Sequence, residues 1–371
     1  MTRPSDVIVV GAGVIGCAIA DEIARRGASV EIVDERPAGM GATQASAGVL
    51  APYIEAYEGH PLLDLTVRSL ALYEEFIERI VTDSGAPVPY RRTGTLDVAL
   101  DEAEWTTLCA RAEFLTRRRV PALLLDAAAT RTEEPHLGES AVGGLLIEEH
   151  GFVAAGDLTR ALVASARRHG AQMIEQSRVR RIIRDNGEFV VETDRGTLDG
   201  DALVVAAGSW SGTIAVDGIT TRLPVRPVRG QLMYLTWSGT PLRRVTWSRR
   251  CYLVPWEDGS VLVGATMEEV GFDERATVAG VRDLLEAACD VVPHTWAAGF
   301  LGARVGLRPG TPDDLPIIGM SGIVANLMYA TGHYRNGILL APLTARVVAD
   351  WLLENRIDPA LTAVSPARFG L

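Results

Sequence analysis

Several protein classes are excluded by what this sequence lacks. Its four cysteines, Cys17, Cys109, Cys251 and Cys289, include no CxxC pair. The six histidines show no metal-ligand spacing. Both facts argue against a disulfide framework or a structural zinc site, and they fit a reducing cytosol. Long apolar runs are missing too. The first charge-free run, residues 7–20, is only 14 residues long and contains three glycines. It is too short to span a bilayer and lacks the flanks of a signal peptide. The expectation is a cytoplasmic protein with no membrane partner. Positive charge is in deficit: the net charge is −11. A nucleic-acid binder needs a basic face, so none is expected. The clusters Arg117–Arg119 and Arg178–Arg181 read as solvated ends of secondary structure. No internal repeat or low-complexity linker appears.

The chain is long enough, at 371 residues, for two domains and a sizeable core. Hydrophobic residues make up 47% and charged residues 22%, as in ordinary soluble proteins. DVIVV (6–10) reads as a buried strand, residues 14–27 as a helix and SVEIVDE (29–35) as a second strand. This β–α–β opening has the size of a dinucleotide-binding unit. Residues 62–83 carry apolar positions at helical spacing and predict one long amphipathic helix. A helix is expected over 157–170, capped by Asp157 and ended by Gly170. Strands follow in RVRRIIRD, EFVVETD, TLDGDALVVAAG, QLMYLTW, RCYLVPW and SVLVGAT. Helix returns over 276–290, then a strand at 327–330 and a helix from Ile338 to Leu353. The fold class expected is α/β with α+β insertions: a doubly wound, Rossmann-type nucleotide domain and a β-rich substrate domain. The nucleotide domain is assigned to 1–85, 150–215 and 305–371. The substrate domain is assigned to 86–149 and 216–304.

VVGAGVIG holds Gly11-x-Gly13-x-x-Gly16 between strand and helix. The first glycine makes the tight turn, the second admits a pyrophosphate, and the third lets helix and strand pack closely. The helix start, with Val14 and Ile15, offers free N–H groups to phosphate. Asp34 closes the second strand, 18 residues after Gly16, in place to accept from a ribose. The loop GATQASAGVLAP (41–52) then supplies small residues and the hydroxyls of Thr43 and Ser46. A nicotinamide enzyme more often returns directly to a helix, so the loop favours FAD. VVAAGSWS (204–211) adds an apolar strand ending beside the nucleotide. A yellow purified protein would dismiss a nicotinamide dehydrogenase.

These motifs occur in one order with SAGVLAP, RCYLVPW, VGATME, GLRPGTPDDLPIIG and ATGHYRNGILLAP. Together they resemble the glycine oxidases of the D-amino-acid oxidase family, the ThiO type linked to thiamine biosynthesis. The resemblance runs nearly end to end. It implies a D-amino-acid oxidase-like, two-domain flavoprotein with noncovalent FAD. It implies oxidation of an amine's C–N bond, reoxidation by O2 to hydrogen peroxide, and imine hydrolysis. For glycine the products are glyoxylate and ammonia. Carried over by position, Arg308 in GLRPG matches the carboxylate-binding arginine, and Tyr252 in CYLVP matches the tyrosine that also reaches that carboxylate. Arg335 in HYRNG matches an arginine near flavin and substrate, and Met267 a methionine lining the pocket. Arg250 stands where a relative carries histidine at the pocket edge; a cation there either favours a larger or additionally acidic amine or points to solvent. The implied cofactor set adds Glu35, Arg36, Ala47, Gly48, Val49, Val179, Ala207, Gly208, Trp210 and Arg308 to the residues above. From the C-terminal motif it takes Gly332, His333, Arg335, Asn336, Gly337, Ile338 and Leu339. A homo-oligomer is expected from the relatives.

The chemistry supports these choices independently. Hydride transfer from Cα to flavin N5 needs the amine pinned against the ring and water excluded. Arginine grips a carboxylate with two parallel bonds, which lysine cannot do. A tyrosine hydroxyl adds a third donor. Arg335 sits among glycines at the mouth of an apolar helix, where bound carboxylate or reduced flavin answers its charge; its plainer role is pairing with a core acid such as Asp313. The leading expectation is an FAD-dependent oxidase of glycine, an N-substituted glycine or a small D-amino acid. The alternatives are a D-amino-acid dehydrogenase using a quinone or carrier protein, and an FAD-binding module without catalysis.

Overall fold

In a computed structural model of the chain, residues 5–54 and 57–371 are described; residues 1–4, at the start of the first assigned segment, lie outside it. The first strand, Ser5–Val10, pairs in parallel with Val30–Val33 on one side and Gly196–Val205 on the other. Gln172–Ile174 and Leu327–Thr331 extend the parallel core. Strands buried on both faces must be apolar throughout, which is why VIVV and LVV read as unbroken runs. Val179–Asp185 and Glu188–Thr193 continue the sheet antiparallel, and Ile317–Met320 pairs antiparallel with Leu327–Thr331. The helices Val14–Arg25, Ala155–Arg168 and Gly337–Glu354 pack with this sheet in one apolar core. The fold is the mixed α/β architecture expected from the sequence.

A second sheet draws its strands from two distant stretches, 95–147 and 226–310. Its order runs Gly299–Gly310, Arg226–Thr236, Ser260–Gly264, Tyr252–Pro255, Val245–Trp247, Thr95–Ala99, Gly143–Ile147, Leu123–Asp126. The first of these strands continues past residue 304 without a break, up to Gly310. A small three-stranded sheet, Val49–Leu50, Gly151–Val153 and Tyr90–Arg91, lies beside the helices.

Three local expectations need correction. Residues 62–83 form two helices, Leu63–Ala71 and Tyr73–Ser84, not one. The helix expected over 157–170 is Ala155–Arg168; Asp157 lies in its first turn and pairs with Arg160 instead of capping. The stretch 86–149 also contains a long helix, Glu102–Arg117, whose Asp101 accepts from the Glu104 N–H at 2.8 Å.

The break at Leu72 has a use. The C-terminal helix Gly337–Glu354 carries Pro342 in its second turn. Proline has no N–H, so the carbonyl of Ile338 loses its helical donor. The buried Tyr73 hydroxyl donates to that carbonyl instead. Ser69 inserts into the next rung: its hydroxyl donates to Leu339 O at 2.6 Å and accepts from the Leu343 N–H at 3.3 Å. A serine and a tyrosine four residues apart thus repair what the proline removes. An unpaired buried carbonyl there would cost about 1–3 kcal/mol.

Candidate active site

The carboxyl ends of the parallel strands, at Val10, Val33, Ala206 and Thr331, face the second sheet across one continuous cavity of about 550 Å³. Ligands of open α/β sheets bind at this edge. The chain's 36 basic residues are all arginines. Every cation lining the cavity is therefore a planar fork rather than a point charge.

One end is built from backbone. Gly11 has φ +108, and a Cβ there would lie 2.5 Å from Ala206 O. A Cβ on Gly16 would meet Gly11 O at 1.8 Å, so this glycine sets the approach of helix to turn and does not line the cavity. Gly13 does line it, and a Cβ there would find only Thr43 Oγ1, at 3.6 Å. Thr43 Oγ1 accepts from the Val14 N–H at 3.1 Å, fixing the 41–49 loop on the helix start. Asp34 accepts from the Ala12 and Arg36 N–H groups at 2.7 and 2.8 Å. Burial nevertheless raises its carboxyl above the usual range, those two bonds opposing it. Arg36 grips Glu274 through two bonds, at 2.8 and 2.9 Å, and lies 4.4 Å from the Trp210 ring.

The C-terminal helix reaches the same cavity. Its first internal bond runs from Leu340 N–H to Asn336 O at 2.8 Å, so the N–H groups of Gly337, Ile338 and Leu339 precede it without a side-chain cap. His333 lines the cavity but is buried, paired with Thr344 Oγ1 at 3.1 Å. Burial pushes its imidazole down to about 3, so it is neutral and structural. Two helix starts, an acid at a strand end and an open glycine turn suit a dinucleotide with phosphates at one end.

The other end is built from side chains on the second sheet. Arg308 projects from Gly299–Gly310 and lies flat over the neighbouring strand. A Cβ on Gly230 would meet both its Nη1 and Nη2 at 2.4 Å. Its Nη1 donates to Thr266 O at 3.0 Å and more weakly to Arg229 O at 3.5 Å. It has no carboxylate partner among the described residues, and burial lowers its pKa. Tyr252 lies over Gly264 in the same way; a Cβ there would be 2.5 Å from its hydroxyl. That hydroxyl makes no hydrogen bond with the described residues, and the ring stacks on Trp247 at 4.8 Å. Burial raises its pKa, opposed by Arg308 and Arg335, so it stays a donor at neutral pH.

Beneath Arg308 a polar network fixes Thr266. The Thr266 hydroxyl donates to Glu268 at 2.6 Å and accepts from the Gln231 N–H at 2.9 Å. Glu268 pairs with buried Arg229 at 2.6 Å. The Thr266 carbonyl that anchors Arg308 is thereby held from both sides. A buried cation is costly unless such acceptors are fixed in advance.

All the residues expected at the site line this cavity except Gly16, Gly332 and Arg250. Gly332, at φ +72, is a turn residue whose Cβ would strike Thr311. Arg250 is a correction: it is exposed and paired with Asp290 at 2.6 Å, so its charge is drawn to the outer surface. Its neighbour Arg249 lines the cavity instead. Asp313 is engaged by Arg368 at 2.8 Å. Met267 is 64% exposed at the cavity, its thioether accepting from the Tyr334 hydroxyl at 2.7 Å. Gly230, Gly264, Trp247, Arg249 and Thr266 were not anticipated, because only strand register brings them to Arg308 and Tyr252. Among the described residues there is no group of His, Cys, Asp or Glu that could hold a metal, and no helix long and apolar enough to cross a membrane.

Comparison with known proteins agrees with this geometry. Residues 6–351 match the family model of FAD dependent oxidoreductases. Glycine oxidase of Geobacillus kaustophilus is 34% identical over 96% of this chain and 94% of its own length. The crystal structure of glycine oxidase from that organism superposes with a TM-score of 0.93, covering 98% of each chain. The bifunctional protein ThiO/ThiG of Synechocystis sp. is 35% identical over 100% of this chain, which spans about half, 55%, of that relative. The chain belongs to the FAD-dependent oxidoreductase family, and within it to the amine and amino-acid oxidases of the glycine oxidase type.

Proposed function

We propose that this enzyme removes two electrons from the C–N bond of glycine, an N-substituted glycine or a small D-amino acid. O2 takes the electrons to give hydrogen peroxide, and the imine hydrolyses to glyoxylate and ammonia or amine. The observation that carries this reading is Arg308, whose one Nη is tied to two backbone carbonyls while no described carboxylate answers its charge. A guanidinium held this way is a receptor for a carboxylate. Tyr252 adds a donor whose hydroxyl is still unspent, and Arg335 adds a second cation at the same wall. The Gly11–Gly16 turn, Asp34 and the start of the 337–354 helix would hold FAD, which would supply the two-electron acceptor. Arg308 and Tyr252 orient the substrate by its carboxylate, leaving Cα directed into the cavity. Trp247 and Tyr252 form an apolar wall that excludes water from the reacting carbon. No general base is required, because an amine that enters neutral has no proton to surrender first.

The test is anaerobic mixing of the yellow protein with glycine, sarcosine, D-alanine and D-proline, following loss of flavin absorbance. Peroxide release on admitting air is the expected second result. Arg308→Ala is expected to lower kcat/KM about 100- to 1,000-fold with flavin still bound, the loss of a bidentate charged pair. Reduction by none of these amines sinks the oxidase reading. Reduction without peroxide points to a carrier or quinone acceptor.

A further inference from the structure

We propose that Arg249 determines specificity by reading a second anionic group, so the favoured substrates are glycines whose nitrogen carries an acidic arm. The inference deepens the oxidase reading and rests on it. Arg249 and Arg250 form the two-residue loop of a hairpin closed by the Ser248 N–H donating to Cys251 O at 2.8 Å. The strands entering and leaving that loop carry Trp247 and Tyr252, paired in register and stacked on each other. The loop is thus attached directly to the amine end of the cavity. Its two guanidinium groups diverge. Arg250 finds Asp290 at 2.6 Å. Arg249 lines the cavity and has no hydrogen bond or ion pair with any described residue. Arg249 is exposed at the mouth of the cavity, where an entering ligand passes it.

The charge balance of the cavity points the same way. Among the described lining residues, the carboxylates are Asp34 and Glu35, both at the nucleotide end. The amine end presents Arg249, Arg308 and Arg335. A substrate with a single carboxylate engages Arg308 and Tyr252 and leaves Arg249 unanswered. A secondary amine with two acidic arms answers both forks: one arm fixes Cα, the other reaches the loop. A second arm also lets the planar guanidinium take two parallel bonds, which a hydroxyl or amide does not offer.

The probe pair is N-(carboxymethyl)glycine and its monoamide, N-(carbamoylmethyl)glycine, which match in size and differ by one charge. The holoenzyme is expected to prefer the diacid about tenfold in kcat/KM at low salt, the preference shrinking as ionic strength rises. Arg249→Gln is expected to bring that ratio close to one, whereas Arg250→Gln, which unpairs only Asp290, leaves it in place. A ratio near one in the unaltered enzyme, or one unmoved by Arg249→Gln, overturns the inference. If glycine reduces the flavin but the ratio is one, the oxidase reading stands and only the role of Arg249 falls. If no amine reduces the flavin, the oxidase reading falls, and the two probes are titrated against the flavin absorption band instead. Equal affinities there overturn the role of Arg249, and tighter diacid binding that Arg249→Gln abolishes upholds it.

Discussion

The two ends of the cavity recognise their ligands by different means. At the nucleotide end the contacts are backbone N–H groups, and the decisive residues are those that leave space, Gly11, Gly13 and Gly16. At the amine end the proposed contacts are side chains, Arg308, Tyr252 and Arg249, and space is made for the first two on neighbouring strands by Gly230 and Gly264. Backbone recognition requires consecutive residues, so it leaves a motif. Side-chain recognition requires only proximity across a sheet, so it leaves none. The difference also separates what each end controls: retention of the cofactor at one, choice of amine at the other.

Gly13→Ala attacks the first end with the largest expected effect. The new methyl meets no protein atom closer than 3.6 Å, so the apoprotein should melt at an unchanged temperature. It would occupy the approach of a pyrophosphate, so FAD affinity is expected to fall about 100-fold, roughly 2.7 kcal/mol. Equilibrium dialysis of FAD beside an apoprotein melt checks both halves, and a lowered apoprotein Tm would break the separation.

Gly230→Ala attacks the second end. Its Cβ would sit 2.4 Å from the Arg308 guanidinium, which must swing aside. We expect KM for glycine to rise about tenfold while FAD is retained, less than the loss on deleting Arg308 because the charge survives. Release of flavin from this variant would show that the two ends are not independent.

The last expected effect is on stability, in acid. His333 lies at the cofactor and His150 on the other side, where Nε2 accepts from the Tyr53 N–H at 3.3 Å and Nδ1 bonds Thr95 Oγ1 at 2.6 Å. Burial pushes both imidazoles from 6.5 down to about 3. In the unfolded chain they protonate near 6.5, so the unfolded state binds more protons below that pH. Stability is complete above about pH 6.5 and is lost as pH falls towards 3. At pH 5 the loss is roughly 2 kcal/mol per histidine. His150→Gln is expected to flatten the pH dependence of Tm between 7 and 5 by about half, and an unaltered slope would place the acid sensitivity elsewhere.

Legibility in the sequence followed the same division. The β–α–β opening was legible, and its glycines and Asp34 fall in the turn and at the strand end, because they form one local unit held by short-range geometry. The C-terminal helix was read to within a residue, since its apolar run has nothing to interrupt its period except Pro342. The single helix expected over 62–83 failed because its break answers a carbonyl about 265 residues away, at Ile338. Nothing in the sequence sets Gly230 and Gly264 apart from other strand glycines; only register shows them beneath Arg308 and Tyr252. Arg249 and Arg250 are adjacent, chemically identical and both exposed, yet only Arg249 lines the cavity while Arg250 pairs with Asp290. No spacing rule distinguishes them.

Pro342 divides the last helix into pieces with different attachments. Beyond the proline, the helix answers to its own ladder and to the nucleotide sheet. Before it, the carbonyls of Ile338 and Leu339 answer to Tyr73 and Ser69. The turn that faces the cavity should therefore exchange its amide hydrogens in step with the 63–84 pair, and not with the rest of its own helix. Loosening that pair would release the cavity-facing turn while most of the polypeptide stayed closed.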